Sequence, residues 1–134
     1  MIIKETLRMF PPASVIQRSV SKDTTVGGFK IQKGLMAIVN VFSLHYNEEI
    51  YKNPNEFRPE RWIEDSIPSF AWIPFSIGSR VCIGNNFSLM EQKFFLGMLL
   101  RKFRFSLVEF DDILESPTSF LVSPLKKKIK FEKI

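Results

Sequence analysis

Apolar positions along the chain change period several times, and each change marks an element. Across residues 87–103, Phe87, Met90, Phe94 and Met98 form one stripe at helical spacing, and Leu89, Leu96, Leu100 and Phe103 form a second. This spacing predicts a long helix, and apolar residues on two faces predict burial on most sides. Residues 2–10 read as the end of an earlier helix, stopped by Pro11 and Pro12, which have no backbone donors. Glu5 and Arg8, three apart, share one face of it.

After that helix the pattern turns extended. Residues 16–20 read as a strand, and residues 23–31 as strand, glycine turn at Gly27-Gly28, strand. Lys33-Gly34 makes a second turn, and the β-rich apolar run 35–42 predicts a buried strand. Together these predict one small sheet. A short helix is expected over residues 47–51. Residues 52–79 are punctuated by Pro54, Pro59, Pro68 and Pro74 with little periodicity, and a connection this long implies a function. Asp111-Asp112 marks a turn; 120–122 and 128–131 predict a closing hairpin joined through residues 123–125. The fold class expected is mainly α with small β-sheets (α+β).

The chain has 134 residues, 45% of them hydrophobic, with 14 Phe, a load suited to burial inside a larger protein. Its net charge of +5 owes much to Lys126, Lys127, Lys128, Lys130 and Lys133, but these alternate with Ile129, Phe131 and Ile134. A period of two is a half-buried strand with a solvated basic face, so no nucleic-acid role is expected. Charge arrives by the fourth residue, and no signal-peptide pattern is visible in these residues. The longest charge-free runs, 34–47 and 66–79, are too short and too broken to span a bilayer. A single cysteine excludes an intramolecular disulfide and fits a reducing compartment.

That cysteine, Cys82, carries the chemistry. A lone cysteine is by default an inert core residue, but the segment 75–84 around this one has a different character. Gly78 and Gly84 remove side chains where backbone must approach closely or turn with positive φ. Arg80 is a rigid, permanently charged fork suited to a carboxylate. A helix starting just beyond Cys82 would turn its positive end toward the sulfur and favour the thiolate.

The run F-x-x-G-x-R-x-C-x-G from Phe75 to Gly84 resembles the haem-binding signature of the cytochrome P450 superfamily. Glu5-Thr-Leu-Arg8 is similar to the family's E-x-x-R helix motif and Pro59-Glu-Arg61-Trp62 to its P-E-R-[FW] motif, in the same order. The resemblance implies the C-terminal part of that fold: E-x-x-R helix, small β-sheet, meander, cysteine loop, long buried helix and closing β-hairpin. It makes residues 1–134 an incomplete domain, a fragment or truncated product of a protein three to four times as long.

The resemblance further implies heme b (iron protoporphyrin IX), with its iron bound through Cys82, whose sulfur donates electron density to the metal. Phe75 would pack on the sulfur and exclude water. Arg80, and Arg18 as a second candidate, would pair with haem propionates. Glu5, Arg8 and Arg61 would form a structural network fixing the meander to the first helix, because buried arginines need a carboxylate. His45, the only histidine, is expected to make a structural hydrogen bond and not to bind iron. Ser79 and Ser88 stand where the family often has proline and alanine.

The implied activity is a haem-thiolate monooxygenase that inserts one oxygen atom from O2 into an apolar small molecule. Residues 16–20 and the hairpin near Phe120 are the only segments expected near substrate. Electrons would come from an NADPH-dependent reductase, with Lys93, Arg101 and Lys102 facing its acidic docking surface. Membrane association through a part outside these residues, at the cytoplasmic face of the endoplasmic reticulum, would follow from likeness to microsomal members. Three alternatives stand beside it: an inactive truncated remnant, a peroxide-rearranging haem-thiolate enzyme, and a basic adaptor module.

Overall fold

In the computed structural model, the described residues are 1–64, 66–108 and 128–134. Helix α1 (Ile2–Met9) leads into strand β1 (Val15–Ser19), the hairpin β2 (Thr24–Val26) and β3 (Phe29–Ile31), and strand β4 (Met36–Asn40). Short helices α2 (Val41–His45) and α3 (Arg61–Glu64) follow, then the long helix α4 (Asn85–Lys102) and strands β5 (Phe103–Leu107) and β6 (Ile129–Lys133). The architecture is α+β.

The expected single sheet is instead two separate antiparallel pairs, β1 with β4 and β2 with β3. Gly27 and Gly28 have φ of +55° and +85°, the two left-handed positions of a tight hairpin turn. That turn closes β2 on β3, with Val26 opposite Phe29, and leaves β1 to pair with β4 from Val15–Asn40 to Ser19–Met36.

The buried strand expected over 35–42 ends two residues early, because Asn40 caps a helix. Its Oδ1 accepts from the Ser43 N–H at 3.0 Å, and the chain becomes α2 at Val41. β4 is exposed throughout, and among the described residues its one strand partner is β1. Residues 47–51 form turns and not the expected helix. Asn47 Oδ1 takes the Glu49 N–H at 2.9 Å, an Asx turn that competes with helix propagation.

Helix α4 runs close to the predicted span, yet none of its residues is buried. Phe87 and Phe94 are each 70% exposed. Among the described elements only α1 and β5 make more than slight contact with α4, so the Phe87 stripe is uncovered here, while Leu89, Leu96 and Phe103 of the second are half-buried. Beyond α4, β5 pairs with β6 from Phe103–Lys133 to Leu107–Ile129. The predicted strand at 128–131 is thus present as β6, but its partner is β5, which the sequence reading left out. The strand expected at 120–122 and its connection lie outside the described residues.

The core sits under α1. Leu7, Val41, Tyr51, Ala71 and Ile73 are its buried apolar side chains, and Glu5, Arg8, His45 and Arg61 lie among them, fully buried. Burying charge is costly unless every donor and acceptor finds a partner, and here those partners come from one chain segment after another.

Candidate cofactor site

Glu5 is the hub of the buried cluster. Its Oε1 accepts from Arg8 Nη2 at 2.9 Å, Arg61 Nε at 2.9 Å and the Arg58 N–H at 3.1 Å. Its Oε2 accepts from Arg8 Nε at 3.1 Å and Trp62 Nε1 at 3.0 Å. Burial alone would raise the Glu5 carboxyl, but the bonds from Arg8, Arg58 and Arg61 outweigh it and hold the group below its ordinary value. The arginines then spend their remaining donors on backbone. Arg61 reaches the carbonyls of Lys52, Asn53 and Glu56, and Arg8 those of His45 and Glu56. The proline-punctuated segment 52–61 is therefore folded around two guanidinium groups, which explains how it keeps one shape without regular structure.

His45 continues this cluster toward the cysteine loop. The Ile73 N–H donates to its Nε2 at 3.1 Å, so Nε2 carries the lone pair and Nδ1–H donates to the Arg8 carbonyl at 3.0 Å. Burial lowers the pKa of His45 to about 4, with the Arg8 charge acting in the same direction. A run of edge-to-face rings parallels it: Tyr51 on Trp62, Trp62 on Trp72, and Trp72 on Phe75, with centroids 5.8–6.4 Å apart.

Phe75 opens the cysteine loop. Its carbonyl accepts the Cys82 N–H at 2.9 Å, which closes the loop across seven residues. Ser76 and Gly78 adopt φ of +66° and +75°, and a single 3₁₀ turn spans Gly78–Arg80. A residue with a side chain at 78 would meet no neighbour but would have to hold a left-handed backbone, so glycine is needed there for conformation. Gly84 differs: its φ is −83°, and a Cβ there would lie 3.8 Å from Cys82 Sγ. Glycine at 84 leaves that flank of the sulfur open. The Cys82 carbonyl accepts the Asn85 N–H at 3.2 Å, leading directly into α4.

Cys82 is exposed and lines a cavity of about 670 Å³. Strand β1 contributes Ile16 and Arg18 to its wall, the segment before the loop Phe75 and Ser76, the loop Arg80 and Gly84, and α4 Phe87. Arg18 donates to Ser76 Oγ at 3.3 Å and to the Gln17 carbonyl at 2.7 Å. The cavity thus brings together Cys82, Arg18, Arg80, Phe75 and Gly84, which lie up to 66 residues apart between Arg18 and Gly84. Glu5, Arg8 and Arg61 sit apart from it, in the cluster behind Ile73. A second cleft, about 720 Å³, lies at Glu48 and Lys52 to Glu56, away from the loop and beside the carbonyls that bind Arg61.

Sequence reasoning missed Trp62 and Trp72 as polar partners, although an indole N–H near a charge cluster needs an acceptor. Trp72 Nε1 donates to the Lys4 carbonyl at 3.1 Å. It also missed Ser76, whose positive φ carries no sequence signal, and Asn85, whose Oδ1 is buried without a partner among the described residues.

This donor set fits a metal only in a particular form. Among the described residues no group of three His, Cys, Asp or Glu could hold a bare ion. The described residues offer a metal on Cys82 no such group beside it, and the flanking guanidiniums favour a cofactor that carries carboxylates. Among the described residues no helix is long and apolar enough to cross a membrane.

Comparison with known proteins gives the same picture. The family model described as Cytochrome P450 matches residues 1–131. Cytochrome P450 4V2 of Mus musculus is 44% identical over 105 residues, covering 76% of this chain and 20% of the mouse protein. Cytochrome P450 3A28 of Bos taurus is 42% identical over 108 residues, covering 78% of this chain and 21% of its own length. The solved structure of retinoic acid bound cyanobacterial CYP120A1 superposes with a TM-score of 0.90 at 28% identity, over 99% of this chain and 32% of that one. The chain therefore spans about a fifth of the curated relatives it matches.

Proposed function

The chain belongs to the cytochrome P450 family, and on that premise we propose that residues 1–134 are the C-terminal, haem-binding portion of a haem-thiolate monooxygenase domain. The observation that carries this reading is the cavity in which Cys82 meets Arg18 and Arg80. Cys82 would bind the iron of heme b through its thiolate. Arg18 and Arg80 take the propionates, and Arg18 is already oriented by Ser76. Phe75, braced edge-on by Trp72 at 6.4 Å, shields the sulfur from water. Gly78 makes the turn that presents the loop, and Gly84 leaves room beside Sγ. When bound, the haem supplies the site where O2 is activated and one oxygen atom passes to an apolar substrate.

Glu5, Arg8 and Arg61 do not line the cavity; their role is to hold segment 52–61 against α1. An NADPH-dependent reductase would supply electrons at a face that includes Lys93, Arg101 and Lys102, all exposed on α4. Likeness to mammalian relatives supports the cytoplasmic face of the endoplasmic reticulum membrane for the complete protein. The identity of the apolar substrate would be set by residues beyond this portion.

One observation favours a second reading for the 134 residues taken alone. Among the described residues the Phe87, Met90, Phe94 and Met98 stripe of α4 is open, so an isolated chain would lack a closed haem pocket and be catalytically inactive. Both readings are tested by the reduced carbon monoxide spectrum. The complete protein should show a thiolate-type Soret band that Cys82→Ser abolishes, while the isolated chain titrated with haem should not develop it. A band unchanged by Cys82→Ser would refute the first reading, and a thiolate-type band from the isolated chain the second.

A further inference from the structure

We infer that His45 is a positioning residue for the thiolate ligand, acting as a neutral hydrogen-bond acceptor that fixes the backbone carrying Phe75; this rests on the proposed ligation by Cys82. The path is short and made of backbone. Ile73 is held at both ends, its N–H by His45 Nε2 at 3.1 Å and its carbonyl by the Ser76 N–H at 3.0 Å. Between those two bonds lies Phe75, whose carbonyl takes the Cys82 N–H at 2.9 Å. Without the first bond, one end of the turn that sets the cysteine's amide is free.

The other side of the imidazole is equally fixed. Nδ1–H donates to the Arg8 carbonyl at 3.0 Å, and Arg8 Nη1 donates back to the His45 carbonyl at 2.9 Å. His45 is fully buried, so no water can replace either bond. Its position thus transmits the placement of α1 to the loop, a link the Glu5 cluster alone does not make. The hydrogen bond from a main-chain N–H also dictates charge state. A protonated imidazole has donors on both nitrogens and no acceptor for Ile73.

The charged and titratable groups near the ring are Arg8 from α1 and Tyr51, whose ring lies edge-on at 6.5 Å. Glu5 and Arg61 stand on the far side of Arg8. Tyr51 is pushed up to about 12 by burial and stays neutral. The fold lowers His45 from 6.5 to about 4, so the neutral acceptor is favoured in the folded protein. Stability from this arrangement is complete above about 6.5 and is lost as pH falls toward about 4.

The experiment uses the complete haem-loaded protein with His45→Gln and His45→Leu, read by the reduced carbon monoxide spectrum during acid titration. Gln can place an amide oxygen where Nε2 stood and does not titrate. It should keep the thiolate-type band at neutral pH and move the acid loss of that band to lower pH. Leu should lose thiolate-type band at neutral pH with its far-ultraviolet circular dichroism unchanged. Glu5 also titrates in acid, but equally in all variants, so the difference between parent and Gln isolates His45. An acid transition unmoved by Gln, or a Leu variant with the parent's band, would overturn the inference; if Leu does not fold, the Gln titration alone decides. Cys82→Ser measured alongside separates the two ideas, since a retained thiolate band there would refute the ligation itself.

Discussion

The two ends of the cysteine loop rest on regions of opposite character. On the Phe75 side, α1, α2 and the segment 46–73 surround Glu5, Arg8, His45 and Arg61, all fully buried, with partners drawn from this chain. On the Gly84 side, α4 has no buried residue, and Phe94 is 70% exposed although strongly apolar. Polar groups tolerate burial only with specific donors and acceptors at bonding distance, and the chain contains every one that Glu5 needs. Apolar side chains need only cover, and these residues supply little. The part of the site that depends on geometry is thus built locally, whereas the part that depends on area is left for other surfaces.

The largest effect should come from breaking the closed side. Glu5→Gln leaves Arg8 and Arg61 buried without a carboxylate, which costs about 3–5 kcal/mol. In the complete protein this should appear in urea unfolding and as lost haem content. Acid acts in the same direction. Glu5 is held below its ordinary value of 4.5, so its contribution is present above that pH and lost as pH falls through the lower folded value. A Glu5→Gln protein with normal haem content and unchanged midpoint would remove the distinction between the two regions. A smaller effect is expected from Trp62→Phe, which deletes the 3.0 Å indole bond to Glu5 Oε2 and keeps a ring between Tyr51 and Trp72. Hydrogen bonds to charged groups contribute about 1.5–3 kcal/mol. Five donors converge on Glu5, so the loss should fall at the low end, below that of Glu5→Gln.

The same contrast governs what the sequence made legible. The turn at Gly78 and the meeting of Arg80 with Cys82 on one cavity were readable because they lie within one short loop, where local backbone obeys local rules. The Gly27-Gly28 hairpin was readable for that reason too. Long-range pairing was not: whether β4 joins β1 alone or a wider sheet depends on strand partners that spacing does not encode, and β6 pairs with β5 across a wide gap in sequence, from Leu107–Ile129 to Phe103–Lys133. Asn40 shows a local signal hidden by a broader one, since the apolar run around it masked a helix cap. His45 was read as a structural hydrogen bond, but its tie to Ile73 spans 28 residues and left no periodic trace. The stripes on α4 were identified correctly as apolar. Their burial could not be inferred from periodicity alone, because a stripe shows which side seeks cover and not what covers it.

The smallest effect should therefore be found where the hydrophobic pattern is strongest. Phe94 shares a stripe with Phe87, Met90 and Met98, at 70%, 70%, 59% and 57% exposure. In the 134-residue chain, Phe94→Ser removes little buried area, and its unfolding midpoint should change by no more than about 0.5 kcal/mol. In the complete protein, if other elements cover the stripe, truncating the same ring should cost about 3–5 kcal/mol. The sign of that difference is set by burial, since the ring and its replacement are identical in both settings. Equal costs in both would mean that the short chain already covers the stripe, for instance by associating with itself. Concentration-dependent unfolding of the short chain would then accompany them, because among the described residues no element covers this stripe and a second molecule would supply the cover.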